Sequence, residues 1–197
     1  GVLRLTLSRG SGARGPNPAG AKNPTLLITQ SALPDDLDAR WHNGYRLLRS
    51  PWRKPAPDML PNWAKHGNYL NSILAHSAAV AAGADDALLY SHDDGIAEAG
   101  SSNFFIVRGG VLRTPDASSG ALLGVMRSVV LEQAARIGLS AVQERIDETA
   151  WRGADEVFLT NAVRGLMPVA AIDDQKFAVP GAWTQQLAEA VREAENT

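Results

Sequence analysis

The 197-residue chain has no cysteine. Disulfides, thiolate zinc sites and cysteine nucleophiles are therefore excluded. Long hydrophobic runs are also missing: no apolar stretch approaches the ~18 residues of a membrane-spanning helix. No basic end with an apolar block behind it marks a secretion signal. Charge of one sign is scarce, since 19 Lys and Arg against 21 Asp and Glu leave a formal charge of -2. That balance gives no reason to expect nucleic acid or an anionic membrane as partner. The four histidines, His42, His66, His76 and His92, lack a His-x-x-x-His spacing, so no metal site is expected. What remains, 45% hydrophobic and 20% charged residues, is ordinary globular composition with enough chain for a sizeable core.

The stretch RLTLSRGSGARGPNP carries a Gly-x-Gly-x-x-Gly string at Gly10, Gly12 and Gly15. A dinucleotide site needs such glycines to lead directly into a helix, whose first amides receive the pyrophosphate. Here they run into Pro16, Asn17 and Pro18, which cannot continue as a helix. The dinucleotide reading fails. Two readings stay open for this loop: a surface loop, or a basic loop that presents Arg9 and Arg14 to an anionic substrate.

Alternation and helical spacing predict a mixed α/β chain. Strands are expected over 2–8, 25–33 and 45–50, before the proline-rich segment PWRKPAPDMLPNW at 51–63, which reads as a linker between two domains. Beyond it, 68–82 reads as a helix with Leu70, Ile73, Leu74, Ser77, Ala78 and Ala81 on one face. Strands follow over 87–91, 96–100, 103–107 and 111–114, the last pair hinged at Arg108-Gly109-Gly110. A helix over 125–137 turns Met126, Val129, Val130 and Ile137 inward. A strand over 141–146, a short helix from Asp147, strands over 156–160 and 168–172, and a closing helix over 181–193 complete the chain. The expected organisation is a small N-terminal domain over 1–50, the linker, and a larger domain over 64–197. Because a strand is already under way at residue 1, we expect a segment before it, which makes the N-terminal domain incomplete.

Four lysines occur: Lys22, Lys54, Lys65 and Lys176. Three sit in loops or near turns among neighbours that read as solvated. Lys65, in NWAKHGNYLNS, follows the linker beside apolar residues, where desolvation makes an amine nucleophilic; a surface charge is the plainer alternative. Glu98, in IAEAGSSNFF, shares a strand face with Gly100, which leaves room for a flat group against the strand; it reads either as a carboxylate for a heteroaromatic nitrogen or as a solvated hairpin residue. In GALLGVMR the free amides of Val125 and Met126, behind Gly124, form an anion cradle at a helix start, or a plain loop-to-helix junction. Thr160 and Asn161, ending EVFLTN, either add donors to the same anion or cap a turn.

Taken in order, KHGNYLN, EAGSSNFF, GVMR and TNAVRGLMPV resemble the fold-type IV pyridoxal phosphate enzymes. Within them, SRGSGARG, Met126-Arg127 and Asn161-Ala162 before GLMPV are most similar to the 4-amino-4-deoxychorismate lyases. The resemblance implies two α/β domains, pyridoxal 5'-phosphate as cofactor, and release of pyruvate and 4-aminobenzoate in folate biosynthesis. It implies that Lys65 carries the cofactor covalently and acts as base, and that Glu98 keeps the pyridine nitrogen protonated. By the same resemblance Ser102, Asn103, Gly124, Val125, Met126, Thr160 and Asn161 line the cofactor. Arg9 and Arg14 are the candidates for the substrate carboxylates, with Arg127 or Arg164 as alternatives. A small-molecule substrate, a homodimer and a cytoplasmic location are implied too. The alternatives are a fold-type IV aminotransferase for D-amino or branched-chain amino acids, or a cofactor-free structural form.

Overall fold

The computed structural model describes residues 1–195. The chain divides into two compact units, Gly1–Asp35 and a larger one beginning at Asp36. This differs from the expected boundary. The proline-rich segment belongs to the larger unit, fastened along its length: Ser50 N–H donates to Leu88 O at 2.9 Å, Lys54 N–H to Tyr90 O at 2.8 Å, and the Asn62 amide to Ala117 O at 2.7 Å. Its prolines stiffen a strap rather than loosen a linker.

The first unit is an antiparallel hairpin. Strand β1 (Val2–Leu7) pairs with β2 (Leu26–Ser31), in register from Val2↔Ser31 to Leu7↔Leu26. The glycine string lies in the loop between them. Lys22 N–H donates to Ser11 O at 2.9 Å, and a side chain at Gly10 (φ +93°) would meet Lys22 O at 2.2 Å. The glycines thus let two loop limbs close on each other, and only a single 3-10 turn, Pro18–Gly20, follows them.

The larger unit starts with α1 (Leu37–Asn43), a helix the sequence reading did not assign, because a short helix offers too few periodic positions to stand out. Strand β3 (Tyr45–Arg49), expected in the small domain, is part of the large sheet. Then come α2 (Leu70–Ala81), β4 (Asp86–Tyr90), β5 (Ile96–Ala99), β6 (Asn103–Arg108), β7 (Val111–Pro115), α3 (Val125–Arg136), β8 (Ser140–Glu144), α4 (Glu148–Arg152), β9 (Glu156–Asn161), β10 (Gly165–Ile172), a short β11 (Gln175–Lys176) and α5 (Ala182–Glu195). Pairing runs β3 to β4, β5, β6, β9 and β10, and β10 returns to β3 in parallel, so these strands close into a ring. Strands β7 and β8 extend from β6, and β11 from β10.

Closing the ring gives each strand two apolar faces. Phe104 and Ile106 of β6 share one core with Leu88, Val157, Leu159, Val169 and Trp151. The alternate residues, Phe105 and Val107, join Phe158, Val130, Leu187 and Val191 beneath α3 and α5. The Phe105 and Phe158 rings stack with centroids 5.0 Å apart, an arrangement worth roughly 0.5–1.5 kcal/mol beyond burial.

Two helix faces differ from expectation. On α2 the buried residues are Ser72, Ala75 and Ala79, against Ala87 and Leu89 of β4, while Leu70 and Ile73 are exposed. Small side chains bring the helix close to the strands, and the bulkier stripe faces away. On α3 the buried face is Arg127, Val130, Gln133 and Ala134, with Met126, Val129 and Ile137 only half-buried. Arg127 turns inward because its guanidinium donates to Pro115 O at 2.9 Å and to Gln143 Oε1 at 2.8 Å. No helix among the described residues is long and apolar enough to cross a membrane.

Candidate active site

A cleft of about 710 Å³ opens in the larger unit where the ends of β5, β6 and β9 meet the starts of α2 and α3. Lys65, Glu98, Ser102, Asn103, Gly124, Val125, Met126, Thr160 and Asn161 all line it. Segments that lie far apart in the chain therefore converge on one space.

The convergence has a hydrogen-bonded cause. Glu98, 6% exposed on β5, accepts the Leu122 N–H at 2.8 Å on Oε2. The Asn103 side-chain amide donates to Leu122 O at 2.6 Å. One residue is gripped through both its N–H and its C=O by the EAGSSNFF motif, and it leads directly into Gly124 and α3. A side chain at Gly124 would meet Asn103 Oδ1 at 2.2 Å, so this approach requires glycine. The two motifs form one piece of structure.

Helix α3 begins at Val125 with no side chain capping Gly124. Its first amides are left without helical acceptors and with the positive end of the helix dipole. Beside them, Thr160 is 1% exposed and its Oγ1 has no hydrogen-bond partner. An unpaired buried hydroxyl costs roughly 1–3 kcal/mol, so Thr160 is suited to a ligand oxygen. Asn161 is committed elsewhere: its amide donates to Ser102 Oγ at 3.0 Å and its Oδ1 accepts from the Val163 and Arg164 backbones at 2.9 and 2.8 Å. It shapes the turn after β9, and Ser102 holds it there.

Lys65 is exposed in the cleft rather than walled in by apolar groups, so burial does not supply the desolvation expected from sequence. Its Nζ donates to the Tyr69 hydroxyl and lies 4.9 Å from the centre of that ring. Tyr69, four positions on at the N-cap of α2, carries no signal in the sequence that pairs it with Lys65. A second lysine departs from expectation. Lys54, which the sequence places in a solvated loop, is half-buried and its Nζ donates to Glu98 Oε1.

The arginines separate. Arg127 spends its guanidinium under α3, and desolvation pushes its pKa below the ordinary arginine value. Arg164 lines the cleft, but its Nη1 donates to Asp36 Oδ1 at 2.7 Å and Tyr45 Oη at 2.8 Å. That hydrogen bond, foremost, holds the Asp36 carboxyl below the usual range, while burial pushes the Tyr45 phenol up. Arg9 and Arg14 lie in the exposed loop of the first unit.

Comparisons with known proteins bear on this geometry. The family model described as amino-transferase class IV matches residues 1–172. The branched-chain-amino-acid aminotransferase of Escherichia coli K12 is 30% identical over 173 residues, 87% of this chain and 56% of that enzyme, so the chain spans little more than half of that relative's length. Among solved structures, the 4-amino-4-deoxychorismate lyase of Pseudomonas aeruginosa superimposes with a TM-score of 0.90 at 31% identity, over 100% of this chain and 72% of that one. The branched-chain amino acid aminotransferase of Thermobaculum terrenum, solved in its PLP form, gives 0.82 at 31% identity, over 93% of this chain and 60% of that one.

Proposed function

This chain belongs to the amino-transferase class IV family, and on that premise we propose that its cleft holds pyridoxal 5'-phosphate and acts as a lyase site, releasing pyruvate and 4-aminobenzoate from 4-amino-4-deoxychorismate. The observation that carries the cofactor reading is the orphaned Thr160 hydroxyl beside the uncapped start of α3, tied through Leu122 to the Glu98 carboxylate. Anion donors and a buried carboxylate in one cleft suit a ligand with a phosphate at one end and a basic ring nitrogen at the other. The lyase reading is supported by the match of this whole chain to 72% of the lyase structure.

The residues divide the work. When bound, the cofactor supplies an aldehyde that captures amines and a ring that accepts electrons from a deprotonated carbon. The Val125 and Met126 amides and Thr160 Oγ1 would hold its phosphate, with Gly124 leaving the approach open. Glu98 would hold a proton on the ring nitrogen, and Ser102 and Asn103 keep the surrounding strand ends and turns in place. Lys65 Nζ is the candidate covalent anchor and, once released, the base that removes a proton from the substrate carbon bearing the amine. Tyr69 Oη orients that amine. Loss of the enolpyruvyl group aromatises the substrate ring, so no amino acceptor is required.

The curated aminotransferase relative favours a second reading, transamination of branched-chain amino acids. The two are separated by assay. Pyruvate formed from 4-amino-4-deoxychorismate without an acceptor supports the lyase, whereas turnover only of leucine with 2-oxoglutarate replaces it. The cofactor reading is tested independently: the chain should turn yellow with pyridoxal phosphate, and borohydride should fix the label on the Lys65 peptide. Lys65→Ala should lose both signals while melting at the same temperature; labelling of a different lysine defeats the assignment. We also propose a homodimer, supported by the exposed Trp63, Leu70 and Ile73 at 77%, 64% and 56%. Sedimentation at the mass of a single chain would overturn it.

A further inference from the structure

Glu98 does not face the cleft alone. Arg53 and Lys54 are held by their backbones, since Lys54 N–H donates to Tyr90 O at 2.8 Å and Arg53 O accepts the Asn71 amide at 2.9 Å. From that fixed stem the Lys54 side chain, 22% exposed, reaches Glu98 Oε1, while the other carboxylate oxygen accepts from Leu122 N. The Glu98 side chain is 8% exposed. A carboxylate that far from water needs a cation or must give up its charge.

We propose that Lys54 is a positioning residue: its pairing with Glu98 keeps that group an acceptor-only carboxylate, so that a heteroaromatic nitrogen bound against it must carry the proton. The inference rests on the reading that pyridoxal phosphate occupies the cleft. An ionised carboxyl only accepts, whereas a neutral one donates through its O–H. With its ammonium removed, burial favours the neutral form, which donates to an unprotonated ring nitrogen. The same contact then survives with the proton on the other side, and the ring is a weaker electron acceptor. Lys54 thus selects the electronic state of the ring without touching the reacting carbon.

The test uses the full chain and pyridoxal 5'-phosphate labelled with ¹⁵N in the ring, read by NMR alongside the cofactor dissociation constant. In the unsubstituted protein the ring nitrogen should resonate at its protonated position. Lys54→Met should still bind the cofactor but move the resonance towards the unprotonated position, and Lys54→Arg should restore it. Lys54→Gln keeps a donor on Glu98 without the charge, and it should behave like Lys54→Met; it also decides the matter if the methionine variant fails to fold. A protonated signal in Lys54→Gln, with cofactor bound, overturns the inference while leaving the cofactor reading intact. No bound signal and no labelled Lys65 in the unsubstituted protein overturns both.

Discussion

The hairpin of residues 1–35 and the ring of strands in the larger unit are both rich in apolar strand residues, yet they use them differently. In the hairpin, Leu3, Leu5 and Leu7 are 65%, 64% and 72% exposed, and Ile28 and Leu26, the partners of Leu5 and Leu7, are 56% and 55% exposed. In the ring, the successive residues Phe104, Phe105, Ile106 and Val107 are all at 0%. Two strands alone pair backbones and leave both faces open. A closed ring wrapped by helices covers both. Hydrophobic pattern reports which residues are able to be buried, and closure of the sheet decides which ones are.

This contrast breaks most readily in the ring. Phe158→Ala removes a ring stacked in the layer beneath α3 and α5 and should cost about 3–5 kcal/mol in urea denaturation. A loss below 1 kcal/mol by that measurement would mean, at roughly the scale of a surface change, that the ring is not the stabilising core. Next comes the buried Glu156, which accepts the Trp183 and Thr184 amides at 2.9 Å each and the Thr184 hydroxyl at 2.8 Å, and so caps α5. Glu156→Ala should cost about 1–3 kcal/mol and speed amide exchange in the first turn of α5, leaving the hairpin amides unchanged.

Thr160→Val works in the opposite direction. Relief of an unpaired hydroxyl should leave the cofactor-free protein equally stable or more stable, by up to about 1 kcal/mol, while pyridoxal phosphate binds more weakly. A destabilised variant with unchanged affinity would return Thr160 to a structural role. Acid gives a smaller, signed effect. The Arg164 hydrogen bond holds the folded Asp36 carboxyl below its ordinary 3.8. Its contribution is therefore present above that value and is lost as pH falls through the lower folded value, so acid titration should loosen α1 only below about pH 4. Loosening that begins near neutral pH would need another group. The smallest effect belongs to the hairpin, where Leu5→Ala should change stability by less than about 0.5 kcal/mol; a core-sized loss would end the comparison.

Most strands were legible because short apolar runs and the turn residues that bound them are local signals, and 103–107 and 156–160 lie within a residue of the observed β6 and β9. The face of α2 was not, because Leu70 and Ile73 are better hydrophobes than Ser72, Ala75 and Ala79, yet only the small set lets the helix approach β4. Lys54 was passed over for a similar reason: proline neighbours read as solvated loop, and only the strap's hydrogen bonds to Tyr90 turn its side chain inward.

By itself the sequence determined the chemistry available: an amine at 65, a carboxylate at 98, a glycine ahead of a helix at 125, and no thiol. Those follow from residue type and short spacing, which need no knowledge of distant contacts. Tertiary structure alone decided that Leu122 is gripped between Glu98 and Asn103, that Thr160 keeps an unpaired hydroxyl, and that Lys54 meets Glu98. Each of these depends on which segments the closed ring brings within hydrogen-bond reach, and no local pattern encodes that.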